Sequence, residues 1–170
     1  AKSNTYIFFT QGAVKDQAGN PVDEVFTAAA AQAQNVVPLN SARLLDYTLN
    51  LNKGSIVFTF DGVIAVSTIV PTQLVMQVAL DGSTTTNTLP LDGSSNSLNG
   101  FNFELNLTAS VLNALKARRN LGTNTSNTYL VVPAEFAKDV LNTPMFGVVS
   151  SQAKIATLVV ADTTSPTLVS

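Results

Sequence analysis

The chain contains no cysteine, no histidine and no tryptophan, and only 12% of its 170 residues are charged. The absence of cysteine excludes disulfides, thiolate nucleophiles and thiolate metal sites. The absence of histidine removes the commonest general base and the commonest transition-metal ligand. The Gly-x-Ser-x-Gly turn of serine hydrolases does not occur either. We therefore expect a protein that is not an enzyme and that has no cofactor.

Charge is also scarce. Nine basic and eleven acidic residues give a net charge of −2, and the charged share is about half of the ~25% that is usual for a globular domain. The basic residues are scattered, which argues against nucleic-acid binding. Uncharged polar residues must then cover much of the surface, a composition typical of secreted or cell-surface β proteins. This composition leads us to expect an extracellular or cell-surface protein. No apolar run approaches the ~20 residues of a membrane span, so we expect no such span in this sequence.

The most informative feature that is present is an internal repeat. Ser3 to Tyr6 recurs as Ser126 to Tyr129, an offset of 123 residues, and the same offset continues without a gap. Residues 1–47 and 124–170 are identical at 13 positions. A single matching tetrapeptide can arise by chance, but a constant offset through 47 positions is not expected by chance. Self-similarity at a fixed offset is the signature of repeated structural units.

The repeat predicts three parts. Residues 1–39 are the C-terminal part of a preceding repeat, residues 40–161 are one complete repeat, and residues 162–170 are the first strand of the following repeat. Both ends need partners, because a terminal strand leaves backbone groups and one apolar face unmatched. We expect the partners to be copies of this chain or adjacent repeats, bound head to tail. The predicted assembly residues are Tyr6, Ile7, Phe8, Val36, Val37, Pro166, Leu168 and Val169.

Strand patterns dominate the predicted complete repeat. Residues 44–51 and 55–61 flank an Asn-Lys-Gly turn, which predicts a β-hairpin. Further strands are predicted at residues 74–80, 101–107, 129–132 and 155–160. Alternation along residues 101–107 places every second side chain toward the core, namely Phe101, Phe103, Leu105 and Leu107.

One short helix is predicted among these strands. Thr108 can cap a helix over residues 109–118, where Val111, Leu112 and Leu115 recur at helical spacing. Many short strands separated by turn signals argue for two packed antiparallel sheets. The expected fold is therefore an all-β antiparallel sandwich with one short helix.

Several segments resemble a known class of repeats. Residues 14–22, VKDQAGNPV, resemble the V-x-D-x-A-G-N-x-V turn of bacterial-type immunoglobulin-like tandem repeats. Residues 161–170 are similar to the linker and first strand of those repeats, and residues 49–60 to their opening hairpin. Such repeats occur in large surface proteins of the Swm and mastigoneme-like filament types. The resemblance implies an immunoglobulin-like sandwich in a tandem or head-to-tail array.

Calcium is the one metal that the composition leaves open, since it accepts carboxylate and carbonyl oxygens. Asp16 and Asp139 each follow a strand, and Asp162 lies at the predicted junction between two units, so these three are candidate ligands. No EF-hand loop is present, and acids in such positions more often cap turns.

Two sequons predict covalent glycans. Asn106 opens an Asn-Leu-Thr tripeptide and Asn124 opens an Asn-Thr-Ser tripeptide, and both match the acceptor pattern. Asn106 points outward if its two strand neighbours face inward. The alternative is a chance match, because asparagine and threonine are abundant in this chain.

Two functions fit these expectations. The first is a structural repeat or subunit of an extracellular filament or giant surface protein, which assembles end to end through its terminal strands. The second is an adhesin or carbohydrate-binding module. Sugar sites usually present exposed aromatic side chains, and the absence of tryptophan favours the first.

Overall fold

A computed structural model describes residues 6–32, 41–80 and 88–164. The chain divides between Asn40 and Ser41 into two compact units, residues 1–40 and 41–170. The division into parts of three successive repeats stays a prediction.

The described residues are mostly β with one α-helix, as the sequence predicted, and their strands form three sheets. In the first unit, β1 (Tyr6–Ile7) and β2 (Ala31–Gln32) form a two-stranded sheet. The strands of the second unit are β3 (Leu44–Asn50), β4 (Ser55–Ile64), β5 (Val75–Gln77), β6 (Thr88–Pro90), β7 (Gly93–Ser94), β8 (Gly100–Leu107), β9 (Tyr129–Val131), β10 (Lys154–Ile155) and β11 (Leu158–Val160). Its helix, α1, spans Ala109–Ala117. None of the helices in the described part of the chain is long and apolar enough to cross a bilayer.

The two sheets of the second unit share one core. The five-stranded sheet has the order β11-β3-β4-β8-β7, and the four-stranded sheet has the order β10-β9-β5-β6. Both contribute to a single buried cluster, the arrangement of a sandwich-like pair of layers. Fully buried members include Tyr47, Leu49, Ile56, Phe58, Met76, Leu105, Leu130 and Phe136.

The β3–β4 hairpin forms at the predicted turn. The Gly54 N–H donates to the Asn50 carbonyl at 2.8 Å. Gly54 has φ +75°, in the left-handed region that glycine adopts without strain. A Cβ at this position would also lie 2.8 Å from the side chain of Leu112 in α1. Glycine therefore closes the hairpin and also lets the helix pack against it.

Helix α1 begins at the predicted cap. Thr108 Oγ1 accepts the Val111 N–H at 3.4 Å, and Leu115 is buried. The predicted end at residue 118 is one residue too late, since Arg118 is the C-cap with extended backbone. Lys116 lies in the last turn, where a cation is favourable beside the negative end of the helix dipole.

The prediction of a single strand at residues 155–160 is wrong. Strand β10 pairs with β9 in the four-stranded sheet, whereas β11 pairs in parallel with β3 in the five-stranded sheet. Between them Ala156 is buried, and the Thr157 N–H donates to the Tyr47 carbonyl at 2.9 Å. The chain thus passes from one sheet to the other at residues 156–157.

The predicted inward position of Phe101 is also wrong, because its side chain is 54% exposed. Phe103 and Leu105 are buried as predicted. The pairing of β4 with β8 is irregular between Thr59 and Ile64, and Phe101 lies opposite that irregularity. Alternation fails there because the bulge breaks the ladder that would orient the side chain.

The first unit has no core of its own within its described part, since none of residues 6–32 is buried. Strands β1 and β2 pair antiparallel, and a 3-10 turn at Thr27–Ala29 precedes β2. Strand pairs of this size are marginal in water without an apolar face to pack against.

Candidate assembly site

We call residues 6–32 the first copy and residues 129–155 the second copy. Their strands pair in the same register when each residue of the first copy is matched with the residue 123 positions later. The matching pairs are Tyr6–Gln32 with Tyr129–Ile155, Phe9–Val25 with Val132–Val148, and Lys15–Pro21 with Lys138–Pro144. The 3-10 turns at Thr27–Ala29 and Ser150–Gln152 also coincide. The two copies therefore share backbone conformation as well as sequence.

The central turn of each copy is built in the same way. Asp16 Oδ1 accepts the N–H four residues later at 2.8 Å, and Asp139 Oδ1 does the same at 2.8 Å. The residue just before that N–H has positive φ in both copies, +88° at Gly19 and +65° at the equivalent Asn142. Glycine and asparagine are the residues that adopt this left-handed conformation most readily. The difference in sequence thus preserves the turn.

This turn makes a testable prediction at Asn142. Asn142→Val is expected to lower the free energy of unfolding of the second unit by about 1–2 kcal/mol, because a β-branched side chain is strained at positive φ. Asn142→Gly serves as the control and is expected to be tolerated, as glycine stands at this position in the first copy. Chemical denaturation measures both. Equal losses in the two variants would contradict a left-handed residue 142.

The two copies differ most in burial. Four apolar residues that are exposed in the first copy correspond to buried residues in the second. They are Ile7 at 61% against Leu130 at 0%, Val14 at 54% against Ala137 at 0%, Val22 at 39% against Met145 at 2%, and the exposed Ala13 against Phe136 at 0%. The first copy therefore presents on its surface the side chains that the second copy uses as core.

Residues 41–77 cover the second copy. Strand β5 pairs with β9 and places Met76 opposite Leu130. Three further backbone bonds join the covering segment to the second copy, from Ala65 N to Lys138 O at 2.9 Å, from Val70 N to Phe136 O at 2.7 Å and from Phe146 N to Ala42 O at 2.8 Å. The cover thus consists of strand β5, the loop that leads to it and the segment that precedes β3.

A buried polar contact completes this cover. Gln77 is 1% exposed, and its Nε2 donates to the Ser150 carbonyl at 2.9 Å. The Ser150 hydroxyl donates back to Gln77 Oε1 at 2.8 Å. A buried amide needs such partners, and Thr27 places an equivalent hydroxyl at this position in the first copy.

The predicted assembly residues Tyr6, Ile7 and Phe8 are all more than half exposed. Five other predicted assembly residues lie outside the described residues, and their role stays a prediction: Val36, Val37, Pro166, Leu168 and Val169. Sequence reasoning missed Val14 and Val22, although the offset itself pairs them with apolar residues of the second copy.

The three candidate calcium ligands lie in separate settings. Asp16 caps its own turn, and a side-chain and a backbone hydrogen bond from Asn20 hold the pKa of its carboxyl below the usual value. Asp139 is buried in the equivalent turn. Asp162 pairs with Lys116 at 2.8 Å. Across residues 6–32, 41–80 and 88–164, no three acidic side chains come together as a metal site would need.

The Lys116–Asp162 pair joins α1 to the segment that follows β11. The hydrogen bond from Lys116, supported by the Thr164 N–H at 3.1 Å, holds the pKa of Asp162 below its usual value. A carboxyl whose pKa is lowered in the folded state stabilises that state above its unfolded pKa of about 3.9. The contribution is lost as the pH falls from about 4 through the folded pKa.

Lys116→Met is therefore expected to raise the pKa of Asp162 toward its ordinary value, as measured by NMR titration of the side-chain carboxyl carbon. Lys53→Met is the matched control, because Lys53 pairs with Glu104 at 2.7 Å and chiefly this bond lowers the pKa of Glu104. The control should raise the pKa of Glu104 and leave Asp162 unchanged. An unchanged Asp162 pKa in Lys116→Met would contradict the ion pair.

Both predicted glycosylation sites are exposed. Asn106 lies in β8, between Ser55 of β4 and Ser94 of β7. Asn124 precedes a 3-10 turn, and its Oδ1 accepts the Ser126 hydroxyl at 2.6 Å. Attachment of glycans at these positions stays a prediction.

A Ser-x-x-Lys tetrapeptide occurs at residues 151–154. A serine and a lysine three residues apart face each other on a helical turn, which a Ser–Lys nucleophile would use. Here the 3-10 turn ends at Gln152 and Lys154 begins β10. The local structure therefore does not hold the two side chains on one helical face.

The feature of the first copy that stands out is its exposed apolar face, which Ile7, Val14 and Val22 form. We refer to it as the donor face.

No model of a known protein family matches the chain, and no curated protein or solved structure matches it at a significant level.

Proposed function

We propose that this chain is a structural repeat or subunit of an extracellular filament or giant surface protein, joined end to end with further units through its terminal segments. The observation that carries the proposal is the common register of the two copies, 123 residues apart. Equivalent backbone structure at a fixed offset is what successive units of one repeated fold produce.

The proposed fold of each unit is an immunoglobulin-like sandwich. In that fold one sheet has the strand order A-B-E-D and the other contains C, F and G. The order β3-β4-β8-β7 corresponds to A-B-E-D, and β5-β9-β10 corresponds to C-F-G, with β6 beside β5 as an extra strand. This correspondence supports the resemblance to bacterial-type immunoglobulin-like tandem repeats. In these terms each copy supplies strands F and G.

The proposed extracellular location rests on composition. A surface with few charges and many hydroxyl and amide side chains suits a displayed structural protein, and the exposed Asn106 and Asn124 offer acceptor sites for glycans. The second unit has a large buried core and no cysteine with which to form disulfides.

Immunogold electron microscopy tests this function. Antibodies raised against the 170-residue chain are applied to intact, unpermeabilised cells that produce the protein. We expect gold particles on filaments or on a surface layer, spaced along them, and a parent polypeptide or assembly larger than the 17.8 kDa chain. Label that appears only after permeabilisation would overturn the proposal.

A further inference from the structure

We propose that the donor face binds a half-module of another repeat unit, a partner with the chemistry of residues 41–123 of this chain. This inference rests on the proposed repeat and names the partner that its F–G segment needs. Such a half-module contains β3 to β8 and α1 but lacks its own F and G strands. The second unit supplies the template, because there residues 41–77 cover the second copy through β5 and three backbone bonds.

The three side chains of the donor face suit that site. Ile7 replaces Leu130, an isomer of equal size. Val14 is larger than its equivalent Ala137, and Val22 is smaller than its equivalent Met145. Val22 N donates to Val14 O at 3.0 Å, as Met145 N donates to Ala137 O at 3.1 Å. The changes in size at Val14 and Val22 therefore fall on one bonded pair and oppose each other, which is the kind of core exchange that packing tolerates. Outside the donor face, Phe9 is larger than the equivalent buried Val132 and Ala13 is smaller than the equivalent buried Phe136, so these two changes also oppose each other.

The polar groups of the first copy also match the template. The Phe146 N–H donates to the Ala42 carbonyl in the covering segment. The equivalent residue Asp23 also has a backbone N–H, because it is not a proline, and can make the same bond. Thr27 keeps the hydroxyl that Ser150 offers to the buried Gln77. A half-module that carries an equivalent glutamine would find its partner there.

A complete second unit does not fit as the partner. Its place for strands F and G is already filled by its own second copy, which pairs with β5 throughout Tyr129–Val131. The partner must therefore be a half-module with that edge open. The residues that stay exposed in both copies agree with this geometry. Phe26 is 63% exposed, and its equivalent Val149 is 57% exposed. That side of the segment stays in solvent in both settings.

The test is a polypeptide in which residues 41–123 directly precede the complete 170-residue chain. Ala1 is equivalent to Asn124 at the offset of 123, so this junction keeps the repeat register. Hydrogen exchange is followed at the amides of Phe9, Val22 and Val25, in this polypeptide and in the 170-residue chain. We expect exchange at these amides to slow about 100-fold or more when the half-module is present, because they become part of a cooperative core.

Two matched variants of the longer polypeptide separate docking from unspecific adhesion. Ile7→Asp is expected to abolish the slowing, since residue 7 would occupy the buried place of Leu130. Phe26→Asp, an equally exposed apolar residue with the same substitution, should leave it intact because its equivalent remains in solvent. Both side chains are exposed in the 170-residue chain, so neither change removes packing there.

Unslowed exchange in the longer polypeptide, or equal sensitivity to Ile7→Asp and Phe26→Asp, would overturn the inference. These outcomes are independent of the proposed location and filament role. Surface labelling can succeed while the donor face fails to dock, and docking can succeed in a protein that never reaches the cell surface.

Discussion

Replacing Phe58 by alanine is expected to lower the free energy of unfolding of the second unit by about 3–5 kcal/mol. Phe58 is fully buried. Its ring lies 5.0 Å from that of Phe103 and 5.6 Å from that of Phe136, so it contacts strands of the five-stranded sheet and the segment after β9. Removal of the ring leaves a cavity where the two layers meet. A loss of this size is a large part of the ~5–15 kcal/mol that stabilises a domain.

The matched control for Phe58→Ala is Val57→Ala on the same strand. Val57 is 37% exposed, so its truncation should cost about 1 kcal/mol or less. Denaturant unfolding followed by tyrosine fluorescence measures both, since the chain has no tryptophan. Similar losses in the two variants would contradict the position of Phe58 at the centre of the core.

Leu130→Ala and Ile7→Ala are expected to differ sharply although the two positions are equivalent in the repeat. Leu130 is fully buried opposite Met76, and its truncation should cost about 2–5 kcal/mol. Ile7 is 61% exposed, and its truncation should change the unfolding free energy of the second unit by about 0.5 kcal/mol or less. The same denaturation experiment on the 170-residue chain compares them. A large loss from Ile7→Ala would mean that the first copy already packs against a core in this chain.

The elements that depend on local sequence could be predicted. The β3–β4 hairpin follows from a glycine that can take positive φ at the turn. Helix α1 follows from Thr108, whose side chain caps the first turn, and from apolar residues at helical spacing. In each case residues within a few positions of one another settle the conformation.

Elements that depend on distant pairing could not be predicted. Residues 155–160 read as one continuous apolar strand, and only their two different neighbours, β9 and β3, divide them. Phe101 obeys the alternation of its own strand, yet an irregularity in the facing strand β4 leaves it exposed. Local patterns carry no information about which strand lies opposite.

The candidate site could be located but not completed from sequence. The constant offset identified both copies, and it marked Tyr6, Ile7 and Phe8 as apolar residues without an obvious core. It did not reveal Val14 and Val22, because the comparison rested on identities and these positions keep only their apolar character. The structure reveals their role, because Ala137 and Met145, the residues equivalent to Val14 and Val22, are buried in the second unit.

The measurement that tests the equivalence of the two copies most directly is NMR detection of couplings across backbone hydrogen bonds in the 170-residue chain. We expect a coupling from Val25 N–H to the Phe9 carbonyl and an equivalent one from Val148 N–H to the Val132 carbonyl, as the distances of 3.0 Å and 2.7 Å require. A Val25 amide bonded to any other carbonyl, alongside an intact Val148–Val132 pair, would contradict the claim that these are matching pieces of successive units.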